Sequence, residues 1–425
     1  MPGPPKDLQD FSEVLKTVYL PIRRKAFPMM TPLLANARAI GPEEVDYGGH
    51  DLVFDVKLGR RGGFISSAAG FLPHAKSSRE KQGRLSIART YATSSIDGLA
   101  LKATERDEDS FISAAAKITE DAQEQWELEQ NRILHGDSLG IRAVIGTVTS
   151  TTEIVAADPY GIQGAGPGNL HLVEKDDVAV LSPDGQTLRG KTQIRSVDLD
   201  GDNATFILNT AVSGMQAGDV VVTAVPDSVD SEDTSFGAEP YGIKAFVDVE
   251  DNFETFQSIK DRRWQAQKMQ SSFIDETVLM RLLNTIRSRG GVDWRSDPTA
   301  MLLLTTTGIW QTYGESLLGL RRYDAPTMTI NGGFTATQVA GAALVDDPWA
   351  PRGRLYAIHG PDTVFIDLMA WGEMRYQDAP SWQRARNRDA WEVGFASYWN
   401  YGLTMRSTHG VIHGIPDTVN YSPEF

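Results

Sequence analysis

The clearest pattern in the chain is a stripe of apolar positions between residues 107 and 135. Ile112, Thr119, Trp126 and Ile133 recur every seven residues, which keeps them on one face of an α-helix. Acidic residues begin the segment and a glycine follows it, as is typical of helix ends. The pattern predicts a helix of about 25 residues, roughly 37 Å long.

The segments before this helix have two different patterns. Residues 1–47 carry short apolar pieces interrupted by prolines, which favours an arm that packs on another part of the protein. Residues 48–96 contain two alternating, strand-like stretches on either side of a glycine-rich basic stretch. This arrangement predicts a long hairpin with an exposed tip, and such a hairpin has no core of its own.

The remainder of the chain, after the helical segment 97–140, divides into three parts. Residues 141–243 alternate short β-rich runs with turn signals, which predicts an inserted small β-barrel or sandwich. Residues 244–299 hold an amphipathic helix at 273–289 that ends at two glycines. Residues 300–425 are predicted to begin with a buried strand and a helix, and to continue as aromatic-rich strands.

Composition excludes several classes of protein. The 425 residues contain no cysteine, which removes disulfide frameworks, cysteine metal sites and cysteine nucleophiles. The mean hydropathy is −0.29 and no apolar run is long enough to cross a bilayer. The formal net charge of −15 is unfavourable for a protein that wraps nucleic acid. The expected compartment is cytosol-like.

The charge is distributed unevenly. Residues 48–95 carry eight lysines and arginines against three acids, a net of +5, whereas residues 105–129 carry nine acids against two basic residues, a net of −7. Residues 141–243 contribute a net of −10, from fifteen acids and five basic residues. A basic loop and an acidic helix in one sequence suggest contact between copies of the chain.

Motifs that could carry chemistry are weak. The acidic stretch 198–203 resembles the start of a calcium loop, but its glycine and its twelfth residue do not fit, so a hairpin turn is the better interpretation. The glycine-rich stretch 164–169 contains a proline and leads into no helix, which favours a plain loop. Nothing predicts a cofactor.

Two further features have alternative interpretations. His409 and His413 could hold zinc or serve a hydrolase, but the neighbouring glycines and proline favour strand and turn. The aromatic stretch 371–406, with arginines at 384, 386 and 388, could stack on single strands. Core strands with interfacial arginines are the favoured interpretation. Catalytic and metal residues are therefore predicted to be absent, and the chain is predicted not to be an enzyme.

The order of these features resembles the major capsid proteins of tailed bacteriophages. A proline-broken arm, a basic hairpin and a long acidic helix follow one another, and the helix ends in the sequence NRILHGD at 131–137. The stretch 301–310 and the Gly-Asp-Val at 218–220 are also similar to that family. The resemblance implies an α+β chain with the Hong Kong 97 fold: an N-terminal arm, an E-loop, a P domain with a spine helix, an inserted β domain and an A domain.

The resemblance also implies a function. Such proteins form hexamers and pentamers of an icosahedral virion shell around double-stranded DNA, and assemble in the host cytoplasm with a portal and sometimes a decoration protein. Many members of that family begin with a scaffold-like helical segment that a protease removes. This chain goes from Met1 directly into the arm, which implies a separate scaffolding protein. The alternative is an encapsulin-type compartment. Covalent cross-linking is not expected, since Lys57, Lys76 and Lys81 have no convincing asparagine and glutamate partners.

The contacts between copies are expected to be electrostatic. The basic E-loop should lie on an acidic neighbour, and the acidic β domain should project outward, away from DNA. The candidate contact residues are Arg60, Arg61, Lys76, Arg79, Lys81, Arg84, Glu120, Glu124 and Glu127.

Overall fold

A computed structural model gives the fold of most of the chain. It describes residues 32–40, 51–57, 66, 70, 72, 74, 80–99, 108–157, 172–200, 203–225, 233–248, 264–295, 297, 299–319, 327–329, 335–339, 341–347, 349–374, 382–385 and 388–417. Within that part, no helix is long and apolar enough to cross a membrane.

The described residues form five α-helices and twenty β-strands. The helices are α1 Pro32–Asn36, α2 Glu108–His135, α3 Ile243–Val247, α4 Glu276–Gly290 and α5 Thr307–Gly319. The strands are β1 Arg38–Ile40, β2 Asp51–Lys57, β3 Glu80–Ser86, β4 Ala88–Asp97, β5 Ile141–Ser150, β6 Glu153–Ala157, β7 Asp177–Leu181, β8 Leu188–Asp200, β9 Asn203–Leu208, β10 Val220–Thr223, β11 Gln267–Gln270, β12 Met301–Thr305, β13 Thr327–Thr329, β14 Thr335–Val339, β15 Ala342–Asp346, β16 Arg354–His359, β17 Thr363–Glu373, β18 Trp382–Arg384, β19 Ala390–Leu403 and β20 Gly410–His413.

The two long helices end where their sequences predict. Helix α2 has 28 residues, which agrees with the predicted segment. In α4, Asp275 caps the first turn by accepting a hydrogen bond from the Val278 N–H. Gly291 ends the helix with a left-handed φ of 76°, a conformation that glycine adopts without steric cost.

A closed barrel of six strands follows α2. Its order is β10-β5-β6-β9-β8-β7, and its interior is filled by alternating aliphatic residues and Phe206. The predicted hairpin turn at 198–203 is confirmed, because Asp200 pairs with Asn203 where β8 and β9 meet. Closing the sheet leaves the barrel without exposed edges.

Two larger sheets form the rest of the body. One has seven strands in the order β11-β20-β16-β12-β15-β14-β13. The other places β19 between β4 on one side and β17 with β18 on the other, and β1 pairs in parallel with β17. Residues 32–40 pack on the rest of the protein, because Leu33 is 1% exposed and lies in a core cluster with residues of both sheets. The N-terminal arm over residues 1–47 remains a prediction, and most of it lies outside the described residues.

The central core lies between the two sheets. Leu302, Leu304 and Tyr356 of the seven-stranded sheet pack with Trp399 and Tyr401 of the five-stranded sheet. The ends of α2 and α3 complete this core. Helices α4 and α5 cover the opposite face of the seven-stranded sheet in a second core.

The hairpin β2–β3 is a separate two-stranded sheet. Its register runs from the pair Asp51 and Ser86 to the pair Lys57 and Glu80. Seven paired residues span about 20 Å. The hairpin is joined to the five-stranded sheet by its chain connection to β4 and by Asn400, whose Nδ2 donates to the Ser86 carbonyl oxygen.

Candidate inter-subunit surfaces

The three predicted acidic contact residues share one strip of α2. Glu120, Glu124 and Glu127 are separated by three, four and seven residues, so they are neighbours on the helix surface. Glu120 is exposed, whereas Glu124 and Glu127 are partly exposed. Gln123 Nε2 donates to Glu127 Oε1 over 3.1 Å. The structure therefore brings these carboxylates together at the surface, and we refer to them as the acidic strip.

A groove lies beside the acidic strip, between α2 and the five-stranded sheet. It has a volume of about 460 Å³ and is lined by Thr119, Gln123, Trp371, Gly372, Glu373 and Phe395. Its walls combine aromatic rings with a further carboxylate, that of Glu373. A side chain or chain segment could enter it from solvent. We refer to it as the aromatic groove.

Stacked rings form the apolar side of this groove. Trp371 stacks on Trp126 of α2 with a centroid distance of 5.2 Å, and on Phe395 of β19 with a distance of 5.3 Å. Such stacks contribute about 0.5–1.5 kcal/mol per pair beyond their buried area. The aromatic stack therefore fixes the position of α2 on the sheet.

Most of the predicted basic contact residues lie outside the described part of the chain. This applies to Arg60, Arg61, Lys76 and Arg79. The backbones of Lys81 and Arg84 lie in β3, where they pair with Val56 and Val53 of β2. At the tip, Leu72 is 91% exposed. Contact between this hairpin and the acidic strip remains a prediction.

The end of α2 carries a network of buried and partly buried charges that the sequence did not reveal. Glu129 accepts from Arg142 Nη1 over 2.6 Å and from Arg132 Nε over 3.0 Å. Arg132, which is 4% exposed, also pairs with Glu239. Burial alone would raise the pKa of Glu129, but the two arginines lower it to about 2. This network ties α2 to the first barrel strand and to the segment that leaves the barrel.

A second buried pair joins α2 to the seven-stranded sheet. His135 Nε2 lies 3.3 Å from Asp347 Oδ2, and both side chains are 1% exposed. His135 Nδ1 lies 2.8 Å from the Asn131 carbonyl oxygen, which can only accept, so Nδ1 carries a proton. Burial favours neutral imidazole, but the Asp347 carboxylate and the Asn131 carbonyl raise the pKa of His135. The direction of this shift favours the imidazolium form of His135.

The capsid-like sequence at 131–137 is thus a structural joint. Arg132 pairs with Glu129 and Glu239, and His135 pairs with Asp347. Asp137 pairs with Lys244 of α3 over 3.0 Å. The Gly136 carbonyl accepts from the Ala245 N–H. The only signal in the sequence was the density of polar residues at the end of an amphipathic helix.

The candidate histidines occupy structural positions. His409 is fully buried, and its Nδ1 accepts from the His359 N–H over 3.1 Å. Burial lowers its pKa to about 3. His413 lies in β20, as the strand interpretation predicted. In the described part of the chain, no group of three or more metal-ligating residues occurs.

The aromatic stretch forms core strands. Phe395, Trp399 and Tyr401 of β19 are each about 1% exposed or less. Arg384 has a largely exposed side chain, 3.7 Å from Asp389. The prediction of core strands is confirmed for these residues, whereas Trp391 of β19 is 37% exposed and Arg386 lies outside the described residues.

Sequence comparison yields no relative, whereas structure comparison yields many. No protein-family model and no curated protein matches the chain. The capsid asymmetric unit of cyanophage A-1(L) is similar, with a TM-score of 0.54, 12% identity, and coverage of 95% of this chain and 98% of that chain. The capsid of an empty GTA particle is also similar, with a TM-score of 0.47, 6% identity, and coverage of 97% of this chain and 99% of that chain. The holo-SrpI encapsulin of Synechococcus elongatus has a TM-score of 0.44, 9% identity, and coverage of 98% of this chain and 98% of that chain.

The likeness to the cyanophage capsid extends over nearly the whole of both chains. The hairpin, the long helix beside a sheet, and the second sheet with its covering helices follow one another in the order that the resemblance implied. The chain therefore has the α+β Hong Kong 97 fold of phage capsid proteins, with a six-stranded barrel inserted after its long helix.

Proposed function

We propose that this chain is the major capsid protein of a tailed bacteriophage. The observation that carries the proposal is the fold likeness over 95% of the chain. Hexamers and pentamers of the chain would form an icosahedral shell around double-stranded DNA in the virion, after assembly in the host cytoplasm. We also propose a portal, a scaffolding protein and a decoration protein as partners, and this part of the proposal rests on the sequence resemblance alone.

The charge distribution supports contact between copies. The hairpin segment 48–95 has a net charge of +5, and the acidic strip presents three carboxylates on one helix. We propose that Arg60, Arg61, Lys76, Arg79, Lys81 and Arg84 of one copy face Glu120, Glu124 and Glu127 of the next. Exposed pairs contribute only about 0.2–1 kcal/mol each, but a closed ring repeats them in every copy.

The direct test is electron microscopy of the purified full chain, co-expressed with a scaffolding protein where the chain alone forms no particles. Regular closed shells are expected, and a failure to form shells under all assembly conditions would overturn the proposal. Particles isolated from infected cells should contain protected double-stranded DNA. Shells that instead enclose a protein cargo would favour the encapsulin-type alternative.

The electrostatic contact has its own test. Neutralising Arg60, Arg61, Lys76 and Arg79 together should lower the yield of shells, and raised salt should lower the wild-type yield in the same way. Arg281→Gln on the exposed side of α4 is the matched control and should assemble normally. Unchanged shells from the fourfold variant at raised salt would refute the contact.

The barrel is proposed to face the outside of the shell. Residues 141–243 have a net charge of −10, which is repelled by packaged DNA. A density map of the shell would locate the barrel, and its placement against the DNA would refute this part of the proposal.

A further inference from the structure

Strand β4 is a long, open edge of the five-stranded sheet. All ten of its residues pair with β19 on one side, and within the described part of the chain no strand pairs with its other side. The strands β1, β18, β11 and β13, at other edges of the two larger sheets, have only three or four residues each. The edge of β17 beyond β1 is interrupted by two register shifts. Among these described edges, β4 is the one that is both long and regular.

An edge of this kind can accept a further strand. In an antiparallel pair, alternate residues point their N–H and C=O groups toward the partner strand, so about half of these groups in β4 point away from β19. Proline, bulges and inward-pointing charges usually protect such an edge. Strand β4 has the sequence ARTYATSSID, without proline, and its pairing with β19 has no register shift. Its backbone is therefore available for strand addition.

The exposed face of β4 is complementary to itself. Arg89, Tyr91, Thr93 and Ser95 are exposed and Asp97 is partly exposed. No ion pair joins Arg89 or Asp97 to another described residue. When a second β4 lies alongside in the antiparallel direction, with Thr93 opposite Thr93, each Arg89 lies opposite an Asp97. Each Tyr91 then lies opposite a Ser95. Opposite charges and aromatic side chains in such cross-strand positions stabilise a sheet.

We propose that β4 of one copy pairs antiparallel with β4 of a second copy, so that their five-stranded sheets become continuous across a two-fold axis at Thr93. A shift of two residues in either direction removes the charge match, because Arg89 would then lie opposite Ser95 or Leu99. The contact is isologous, since the same strand is used by both copies. It does not rest on the proposed function, because two copies suffice for it. In a shell it would join one ring of copies to the next.

The absence of cysteine lets a single introduced thiol report this pairing. Thr93→Cys places one thiol per copy at the two-fold axis, opposite the same position of the second copy. The Cβ atoms of directly opposed residues are about 4.5–5.5 Å apart, which is close enough for a disulfide after a small adjustment. The full chain is oxidised and separated on a non-reducing gel, and most of it is expected to run as a dimer.

Ser95→Cys is the matched control, because it is an exposed position on the same face of the same strand. The two thiols would lie roughly 13 Å apart along the strands, so this variant should run as a monomer. Tyr91→Cys combined with Ser95→Cys should again give a dimer, and it covers the case in which Thr93→Cys disturbs the pairing. Monomers from both Thr93→Cys and the combined variant, or equal dimer yields from Ser95→Cys, would overturn the inference.

Reversal of the charges tests the register. In the Thr93→Cys chain, Arg89→Asp sets two acids opposite each other and should lower the dimer yield several-fold. Addition of Asp97→Arg recreates a pair of opposite charges and should restore the yield. An unchanged yield after the first substitution would contradict this register. So would a failure of the second to restore the yield in a chain that melts at the wild-type temperature.

Failure of this inference is distinguishable from failure of the proposed function. Wild-type shells together with no dimers from the thiol variants would overturn the strand pairing and leave the proposed function intact. Dimers from a chain that forms no shells under any assembly condition would support the strand pairing, while the proposed function fails.

Discussion

Replacement of His135 by alanine is expected to destabilise the subunit by about 3–5 kcal/mol, the usual effect of removing one partner from a buried ion pair. The Asp347 carboxylate cannot turn to solvent, because its Oδ1 already accepts from the Trp349 N–H over 2.9 Å. The Asp347 N–H also donates to the Thr305 carbonyl oxygen. The variant would leave Oδ2 of Asp347 charged, buried and without its cation.

The same pair predicts how stability depends on pH. The pKa of His135 in the folded chain is raised above its ordinary value of 6.5, so folding binds a proton there. The stabilisation is complete below pH 6.5 and is lost as pH rises through the raised pKa of the folded state. His409 affects stability at acidic pH instead. Its pKa in the folded chain is lowered to about 3, so it destabilises the fold as pH falls below 6.5.

The assay is denaturant unfolding of the unassembled chain from pH 6.5 to 9, followed by tryptophan fluorescence. Wild type should lose stability with rising pH, and the His135→Ala variant should lack that part of the dependence. Adding Asp347→Asn to it removes the orphaned charge, so coupling of about 0.5–3 kcal/mol is expected between the two substitutions. His74→Ala, at an exposed position, is the control. A change below about 0.5 kcal/mol for His135→Ala, typical of a surface substitution, would refute the reasoning.

Two further predictions concern the same joint. The pKa of Glu129 is lowered to about 2, so its ion pairs stabilise the fold above pH 4.5 and weaken as pH falls toward 2. The melting temperature of the Glu129→Gln variant should therefore be lower than that of wild type at pH 7. The two melting temperatures should converge in acid. In Gly242→Ala, the new Cβ would lie 2.3 Å from the Ile133 carbonyl oxygen, which should cost about 1–3 kcal/mol. Gly314→Ala meets nothing within 4 Å in α5 and should stabilise by up to about 1 kcal/mol. Equal melting temperatures for the two alanine variants would contradict this steric argument.

Much of the local structure could be predicted because its signals are short in range. The seven-residue stripe of α2 and the two glycines at the end of α4 determine those helices through backbone geometry and neighbouring side chains alone. The acidic strip could also be predicted from the sequence, since residues three, four and seven positions apart share a helix face in any fold. The turn between β8 and β9 followed from its own residue types.

The rest depends on contacts between distant parts of the chain. His135 and Asp347, or Trp126 and Trp371, are more than 200 residues apart in sequence, and no local pattern shows that they become partners. The parallel pairing of β1 with β17 has the same origin. The aromatic groove was not predicted because it exists only once α2 lies on the sheet.

The two kinds of charge in this subunit are suited to two different tasks. The pairs at the end of α2 are fully or partly buried and join three parts of the fold, so breaking one is costly. The acidic strip lies at the surface, where each of the proposed pairs would be weak and screened by salt. A weak contact repeated around a closed ring can form and dissociate until every copy is correctly placed, and it becomes strong only when the ring is complete. Raised salt should therefore dissociate the contacts between copies at a lower concentration than any that unfolds the subunit.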